Sequence, residues 1–549
     1  MTRVTFSVLT RHFAAAILAP PILTDLGVDY LRRTLASLLG ILIVIGVFLP
    51  RLFSRKYIEL YAIVPHEPYL RAVQADTLMM IAIPMLIIAL IAVVLCPLLF
   101  PDETDYRVLT PLPITRAQLF ASKLLAVVVV MLVAVVAVDF LASAWFPIVI
   151  GGRRAEHSTI ARVGAHLVAS LAGSTWAFLA VMALQGACLS VVPAAWQRRA
   201  SVLVQAGSFV GLLLAIPFVT RIPRMTVLQD TVMTTSLAWL PPTWFLGVER
   251  LLLDGPEAGG YGAAADAALL MSALVVVIIF AVYARLYLSA ERLAGMSGSS
   301  RARRSRGLWL LDRVPPPTAS VLSFIASGLS RSRLHQFVFL LIAGTGAAIT
   351  IARNEVVSAP LVAALFAGLG LRAVLLLPID RGAAWVFQVT EDSRTRARAL
   401  DGVAYAFSWS VIGLSLVVTL ALQRSLASPA WGFGALFTVF ADLVMVEILI
   451  GDWRRMPYAC TYIPGKRVLA YNLGVLLAWY FVFVWIGTNL IRWAMVHPAR
   501  TLALGVAQLA ALTVLRRARL RLWGKLPLEF EDEDPLAVRH LGLAADERP

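Results

Sequence analysis

The chain has 549 residues, 60% of them hydrophobic, a mean hydropathy of +0.81 and a formal net charge of +16. Soluble domains hold roughly 45–50% apolar residues, and here the excess is spread over the whole length, so an ordinary water-exposed fold is excluded. In such a chain the positive charge reads as membrane topology, because basic residues collect in cytoplasmic loops and beside the anionic inner leaflet. Membrane lipid is therefore an expected partner, and nucleic acid is not.

Met1–Asp29 carries Arg3 and Arg11, is interrupted by Pro20-Pro21 and lacks an unbroken apolar core with a small-residue cleavage site, so it is not read as a cleavable signal. A bilayer core needs roughly 20 apolar residues per helix. Apolar runs near that length predict spans at Leu35–Leu49, Thr77–Phe100, Leu124–Ile150, Ala165–Val191, Ser201–Thr220 and Ala263–Tyr283. Six more follow at Phe337–Ala352, Val357–Leu377, Val403–Leu422, Trp431–Ile450, Val468–Ile491 and Thr501–Val514. The expected fold class is all-α, a polytopic integral membrane protein with about twelve transmembrane helices. The first, seventh and twelfth runs are short, and flanking residues such as Arg32 and Arg33 complete the first by snorkelling.

Arginine supplies the orientation. In the second half one set of loops holds Arg381, Arg394, Arg396 and Arg398, then Arg454, Arg455, Lys466 and Arg467, then Arg516–Arg521. The opposite set holds only Arg353, Arg424, Arg492 and Arg500. The richer set is cytoplasmic, and an even number of spans then places both termini inside. Arg51, Arg55, Lys56 and Arg71 run against the trend, but the block Arg301, Arg303, Arg304 and Arg306 belongs in the cytoplasm. Lysine is confined to Lys56, Lys123, Lys466 and Lys525. With the heavy use of alanine, this points to a GC-rich genome and a bacterial cytoplasmic (inner) membrane.

Residues 289–317 combine Gly295-Met296-Ser297-Gly298-Ser299-Ser300, the arginine block and Pro315-Pro316-Pro317, the composition of a linker. They separate an N-terminal six-span half, 1–288, from a C-terminal one, 318–514. Residues 515–549 read as a cytoplasmic tail, basic and then acidic, ending in Glu529, Glu531, Asp532, Glu533 and Asp534. Each half opens on a polar-apolar segment (Phe6–Leu18; Ala319–Leu334). Each also carries a charged loop between its second and third spans (Pro101–Lys123; Pro378–Gly402). The pattern reads as a duplicated unit, an arrangement common in transporters.

The most specific stretch is Leu109-Thr-Pro-Leu-Pro-Ile-Thr-Arg-Ala-Gln-Leu-Phe-Ala-Ser-Lys123. Pro111 and Pro113 end an extended segment, and Thr115 is placed to cap a helix starting near Arg116. That helix is expected to show Leu119 and Phe120 on one side and Arg116 and Lys123 on another. This stretch, preceded by the acidic Asp102–Asp105, resembles the cytoplasmic loop before the third span in permeases of type-2 ATP-binding-cassette (ABC) exporters. The outer segment around Trp239, Pro241, Pro242 and Trp244 resembles the re-entrant helices that the same family places between its fifth and sixth spans. Pro193–Arg199 resembles that family's short loop before the fifth span. The loop Pro378–Gly402 has no Leu-Pro-Ile-Ser/Thr-Arg element, so the second half departs from the pattern.

The resemblance implies an exporter permease subunit, two six-span half-permeases fused in one chain. Its cytoplasmic ABC ATPase subunit would dock on Pro111, Pro113, Thr115, Arg116, Leu119, Phe120 and Lys123. No Walker motif occurs in the sequence. ATP and Mg²⁺ are accordingly expected on the partner, the chain itself is not expected to be an enzyme, and assembly with like or unlike subunits fits.

Ionisable residues inside spans are costly and often functional. Asp139, Arg372, Asp442 and Glu447 qualify, and Arg372 is expected to pair with Asp442 or Glu447 between helices. Gln185, Gln205 and Gln508 read as hydrogen-bond partners between helices rather than as substrate ligands. The three cysteines, Cys96, Cys188 and Cys460, form no CxxC or Cys/His pattern, and the histidines are scattered without ligand spacing. No catalytic or metal site is therefore expected. Two rival classes stand beside the exporter: an ATP-independent secondary transporter of twelve-span major-facilitator-like architecture, and a membrane-embedded lipid-modifying enzyme. The first lacks the G-x-x-x-D-R-x-G-R-R loop, of which Asp380-Arg381-Gly382 is only a fragment, and the second lacks a catalytic cluster.

Overall fold

The structure is a computed structural model that describes residues 3–18, 40, 53–61, 65–100, 114–143, 145–150, 157–222, 236–296, 314–353, 355–377, 379, 389, 392–423, 429–458, 478–494, 496–525 and 528. These residues are overwhelmingly helical and include no strand. They form two compact units, Met1–Arg303 and Arg304–Pro549.

In the first unit the helices are α1 (Arg3–Leu18), α2 (His66–Leu99), α3 (Arg116–Ala142), the short α4 (Phe146–Ile150), α5 (Thr159–Val191), α6 (Ala194–Val219), α7 (Pro241–Asp254) and α8 (Tyr261–Met296). Residues 53–61 are helical as well. α2 is central: its first half packs with Phe146, Phe245 and Leu246, and its second half with Phe13, Val127, Phe178 and Met182. Polar side chains tie the other helices to it. Gln205 of α6 donates to the Val93 carbonyl at 2.7 Å, and the Tyr283 hydroxyl of α8 donates to the Leu99 carbonyl at 2.9 Å. Gln185 of α5 donates to the Ser201 carbonyl at 2.9 Å, fixing α6 from its other side. Where no water competes, such bonds between helices hold orientation as well as energy.

The second unit contains α9 (Pro316–Arg331), α10 (Arg333–Arg353), α11 (Ala359–Leu375), α12 (Ser393–Gln423), α13 (Pro429–Leu449), a π-helical turn (Tyr480–Ile486) leading into α14 (Gly487–Ala494), and α15 (Pro498–Lys525). α11 is buried along nearly its whole length, and small residues make that possible. Gly368 lies against Leu449 and Met445 of α13, and Gly370 lies against Phe339 of α10. Beyond α13 the chain folds back. Trp453, Met456 and Tyr458 join the core, the Tyr458 backbone bonds to the Leu375 carbonyl at 3.0 Å, and its hydroxyl donates to the Ile325 carbonyl at 3.1 Å.

Five helix pairings recur in the two units, each within itself. In the first, α1 lies on α3, and the pairs α2·α3, α2·α5, α3·α5 and α5·α8 pack. In the second, α9 lies on α12, and the pairs α11·α12, α11·α13, α12·α13 and α13·α15 pack. In the span order expected from the sequence, these are the opening helix on the third span, then spans two with three, two with four, three with four and four with six.

Eight described helices (α2, α3, α5, α6, α8, α10, α12 and α15) are long and apolar enough to cross a membrane, and α11 is a shorter apolar helix. Their outward faces carry rows of exposed large apolar residues, such as Leu125, Val129, Leu132, Val136 and Phe140 on α3. In water such faces would drive association, whereas in acyl chains they are at rest. This is the architecture of a multi-pass membrane protein. Apart from Gly40, Leu35–Leu49 lies outside the described residues, as does the first part of Val468–Ile491.

Several expected boundaries move. The run Leu124–Ile150 is two elements: α3 stops at Ala142, Ser143 bonds back to the Asp139 carbonyl, and α4 follows with Pro147 inside it. The run at Thr77 belongs to a helix that begins at His66, because the first turns of α2 are amphipathic and a hydropathy window undervalues them. Residues 289–296 continue α8, and Pro316 and Pro317 open α9, so both ends of the expected linker are helical. Residues 515–525 are not tail: α15 runs unbroken to Lys525, and Trp523 is a core residue.

Two glycines of α12 separate packing from propensity. A Cβ on Gly402 would stand 2.7 Å from the Thr318 backbone oxygen and 2.9 Å from Val321 Cβ of α9, while one on Gly413 meets nothing. Gly413→Ala is expected to stabilise the protein slightly, by up to about 1 kcal/mol from helix propensity. Gly402→Ala is expected to destabilise it by about 1–3 kcal/mol through overpacking. Thermal unfolding of the two variants in detergent checks the opposite signs.

Candidate functional site

The densest polar cluster of the first unit lies where the first turns of α2 and α5, the end of α3, α4 and the last turns of α7 converge. Sequence builds each wall locally. Ser158 caps α5 by accepting the Ala161 N–H at 3.3 Å, and three residues at four-residue spacing, His166, Ser170 and Ser174, then form one stripe of that helix, fully buried. α7 opens on Pro241-Pro242, where a missing N–H costs nothing, and ends at Gly255, whose φ of 59° suits glycine. The intervening turns bring Glu249 into the cluster and bury it.

The His166 ring meets this carboxylate, Nδ1 to Oε2 at 2.9 Å, and an acceptor there sets a proton on Nδ1. One turn further along α5, the Ser170 hydroxyl donates to Asp139, which is fully buried on α3, and Ser143 lies 3.2 Å from the same hydroxyl. At the first turns of α2, Asp76 accepts from Lys56 Nζ at 2.6 Å and from the Tyr57 hydroxyl at 2.5 Å. Burial, and then the Asp76 charge, push the Tyr57 hydroxyl well above the usual phenol range, so it remains a donor. A cavity of about 70 Å³ opens among these groups, walled by Tyr69, Thr77, Phe146, Arg162, His166 and Arg250 among others. Beside it His157 Nε2 lies 2.7 Å from Asp254, which Arg250 approaches at 3.7 Å.

The residues picked from sequence fall in three places. Of the loop before α3, Pro111 and Pro113 lie outside the described residues. Thr115 does cap α3, accepting the Gln118 N–H at 3.3 Å while the Gln118 side chain accepts the Thr115 N–H at 3.1 Å, a complete capping box. Arg116 is the first residue of the helix. Leu119 and Lys123 do not form an outward surface. Leu119 is buried with Phe13 and Ile17 of α1, and the Lys123 ammonium sits 5.1 Å from the centre of the Phe13 ring. They face inward because α1 covers that side of α3; Phe120 is half-buried, and Ala117 and Ala121 are the exposed positions.

In the second place, Trp239 is 84% exposed on a short 3₁₀ turn, Pro241 and Pro242 start α7, and Trp244 packs edge-on against Trp176 at 5.6 Å. In the third, the intramembrane charges part company. Arg372 pairs with neither Asp442 nor Glu447. It binds Asp452 through two contacts at 3.0 and 3.1 Å and reaches the Leu449 carbonyl, because the last turn of α11 ends level with the last turn of α13. Glu447 instead holds Arg519 of α15, at 2.5 and 3.1 Å, with Asp401 of α12 at 3.6 Å and the Trp523 ring 4.1 Å from the guanidinium. Asp442 is fully buried beside Ser415, with neither carboxyl oxygen in a hydrogen bond.

Sequence reasoning passed over Asp76, His166, Glu249, Arg162 and Arg519. The four-residue spacing of His166, Ser170 and Ser174 was readable as a polar stripe. The partners of Asp76 and Arg519 were not, since they lie 20 and 72 residues away along the chain. Gln508 bonds the Phe437 carbonyl at 3.3 Å, bridging helices like Gln185 and Gln205. No group of three or more metal-ligating side chains occurs among the described residues.

Arg519→Gln leaves Glu447 buried without its cation and is expected to cost about 3–5 kcal/mol. The pair Glu447→Gln with Arg519→Gln is expected to cost clearly less than the sum of the single variants, since each single change strands a charge. A double-mutant cycle on thermal or denaturant unfolding measures that coupling.

No protein-family model matches the chain, and no curated protein and no solved structure matches it either.

Proposed function

We propose that the chain is the membrane-spanning permease of an ABC-type exporter, two fused six-span halves in a bacterial cytoplasmic membrane. In this reading both termini are cytoplasmic, and the energy comes from ATP hydrolysed with Mg²⁺ on a separate subunit. The observation that carries it is the recurrence of one packing scheme: in each unit an amphipathic opening helix lies along the start of the third span, and the second span pairs with the third and fourth. A repeat of this kind is how transporters place two half-sites across one path. The exporter family is favoured by the motif at Leu109–Lys123 and by the outer segment that folds as α7.

The same geometry gives a route for coupling. Leu119 and Lys123 clamp the base of α3 to α1 through Phe13. A push on the capped end of α3 therefore moves both helices together. α3 is continuous as far as Asp139, which is bound to Ser170 of α5, so displacement at one end reaches the polar cluster at the other. Nucleotide-driven movement of the ATPase would shift populations of two access states by this lever. A proton-driven transporter is the second reading with an observation behind it, the fully buried and unbonded carboxyl of Asp442.

The docking surface on this reading is the exposed face of the α3 base, Ala117 and Ala121. Ala117→Glu with Ala121→Glu is expected to leave membrane insertion intact. It should reduce co-purification of an ATPase encoded beside the chain by about tenfold or more, the scale of losing a central contact. Unchanged association would overturn the assignment, and transport that survives ATP depletion but not collapse of the proton gradient would favour the second reading.

A further inference from the structure

At the cavity of the first unit one arginine stands outside the ion pairs that hold its neighbours. Glu249 is held by His166 at 2.9 Å, Asp254 by His157 at 2.7 Å and Arg250 at 3.7 Å, and Asp76 by Lys56 and Tyr57. Arg162 is left over. Its guanidinium makes one hydrogen bond, Nη2 to the Thr159 hydroxyl of its own helix at 3.1 Å, and its Nε is buried with no acceptor. His166 Nε2 is also buried without a partner, on a side chain that is 0% exposed and lines the same cavity; with the proton on Nδ1 it is an acceptor, open to a water or a ligand hydroxyl. A buried donor without an acceptor, such as Arg162 Nε, is rare and costly, more so in an apolar surround. An arginine outside any ion pair, beside a cavity, suits an anionic ligand.

The size and walls narrow the ligand. About 70 Å³ is well below the roughly 300 Å³ and more of a drug-sized pocket, yet ample for one oxyanion group with a first water. Tyr69 and Thr77 also line it, their hydroxyls donating to the Ile150 and Val73 carbonyls, Glu249 adds a carboxylate bonded to His166, and Val73, Phe146 and Leu253 are apolar wall. We propose that this cavity binds a single oxyanion group, a phosphate or carboxylate carried on an apolar body, with Arg162 as its principal ligand and Arg250 in support. The guanidinium fork suits such a group because it offers paired N–H donors at the spacing of two oxygens. The inference stands on the cavity alone and does not rest on the exporter reading.

The test is native mass spectrometry of the full chain released from detergent, titrated separately with phosphatidylglycerol, with phosphatidylcholine and with inorganic phosphate. Phosphatidylcholine is the control because its own choline balances its phosphate. Wild type is expected to bind phosphatidylglycerol about tenfold tighter than phosphatidylcholine, and Arg162→Gln to lose about tenfold, the scale of one charge-assisted contact. Arg285→Gln, an exposed arginine outside the cavity, is expected to change nothing. Val73→Phe fills the cavity, leaves every charge in place, and is expected to give the same loss; it carries the test should Arg162→Gln fail to fold. Inorganic phosphate that binds wild type but not these variants, with no preference between the lipids, assigns the same chemistry to a soluble source. Wild type that binds none of the three, or cavity variants that bind them as wild type does, would overturn the proposal.

Discussion

A bilayer offers a polar side chain no water, so a charge carried into a span is costly unless it finds a partner on another helix. Most of the architecture follows from that constraint. Arg519 could not sit in the core of the second unit without Glu447 and Asp401, and in meeting them it joins α12, α13 and α15 at one point. In the first unit Asp139 ties α3 to α5 through Ser170, and Glu249 ties α7 to α5 through His166. Apolar side chains cannot select among neighbours in this way, because acyl chains satisfy them as well as another helix does.

Close approach is the second requirement, and small residues meet it. α11 places small residues against α10 and α13, so its backbone comes close to Phe339 at Gly370 and Leu449 at Gly368, while Gly346 of α10 makes room for Phe366 of α11. In the first unit Gly247 seats α7 against the backbone of the first turn of α8. Dispersion between such faces is collectively large though each contact is weak. Stability in both units thus rests on shape first and on a few buried polar links second. The links matter more for which helices pair than for how strongly they do.

The two units put these rules to different use. The second is closed around α11, with Trp453, Met456 and Tyr458 folded back into the core. The first keeps a gap: α2, α5 and α7 leave a cavity beside which Arg162 Nε and His166 Nε2 are buried without hydrogen-bond partners. Burying polar groups in this way is costly.

Much was legible from the amino acids alone. Apolar periodicity and length showed a helical, membrane-spanning chain, and Thr115 announced the start of α3. Pro241-Pro242 marked the opening of α7. These are local signals, written in residues a few positions apart and governed by capping, proline geometry and hydropathy. Tertiary packing decided the rest. Hydropathy alone cut α2 short at Thr77, because the amphipathic turns from His66 become buried only when α5 and α7 cover them. It likewise assigned Arg519 to a tail, because an arginine looks solvated until Glu447, 72 residues away, is brought beside it. Leu119 and Lys123 looked outward until α1 lay across them. In each case the local sequence determined which element forms, and only contact between distant elements determined which of its faces is inside.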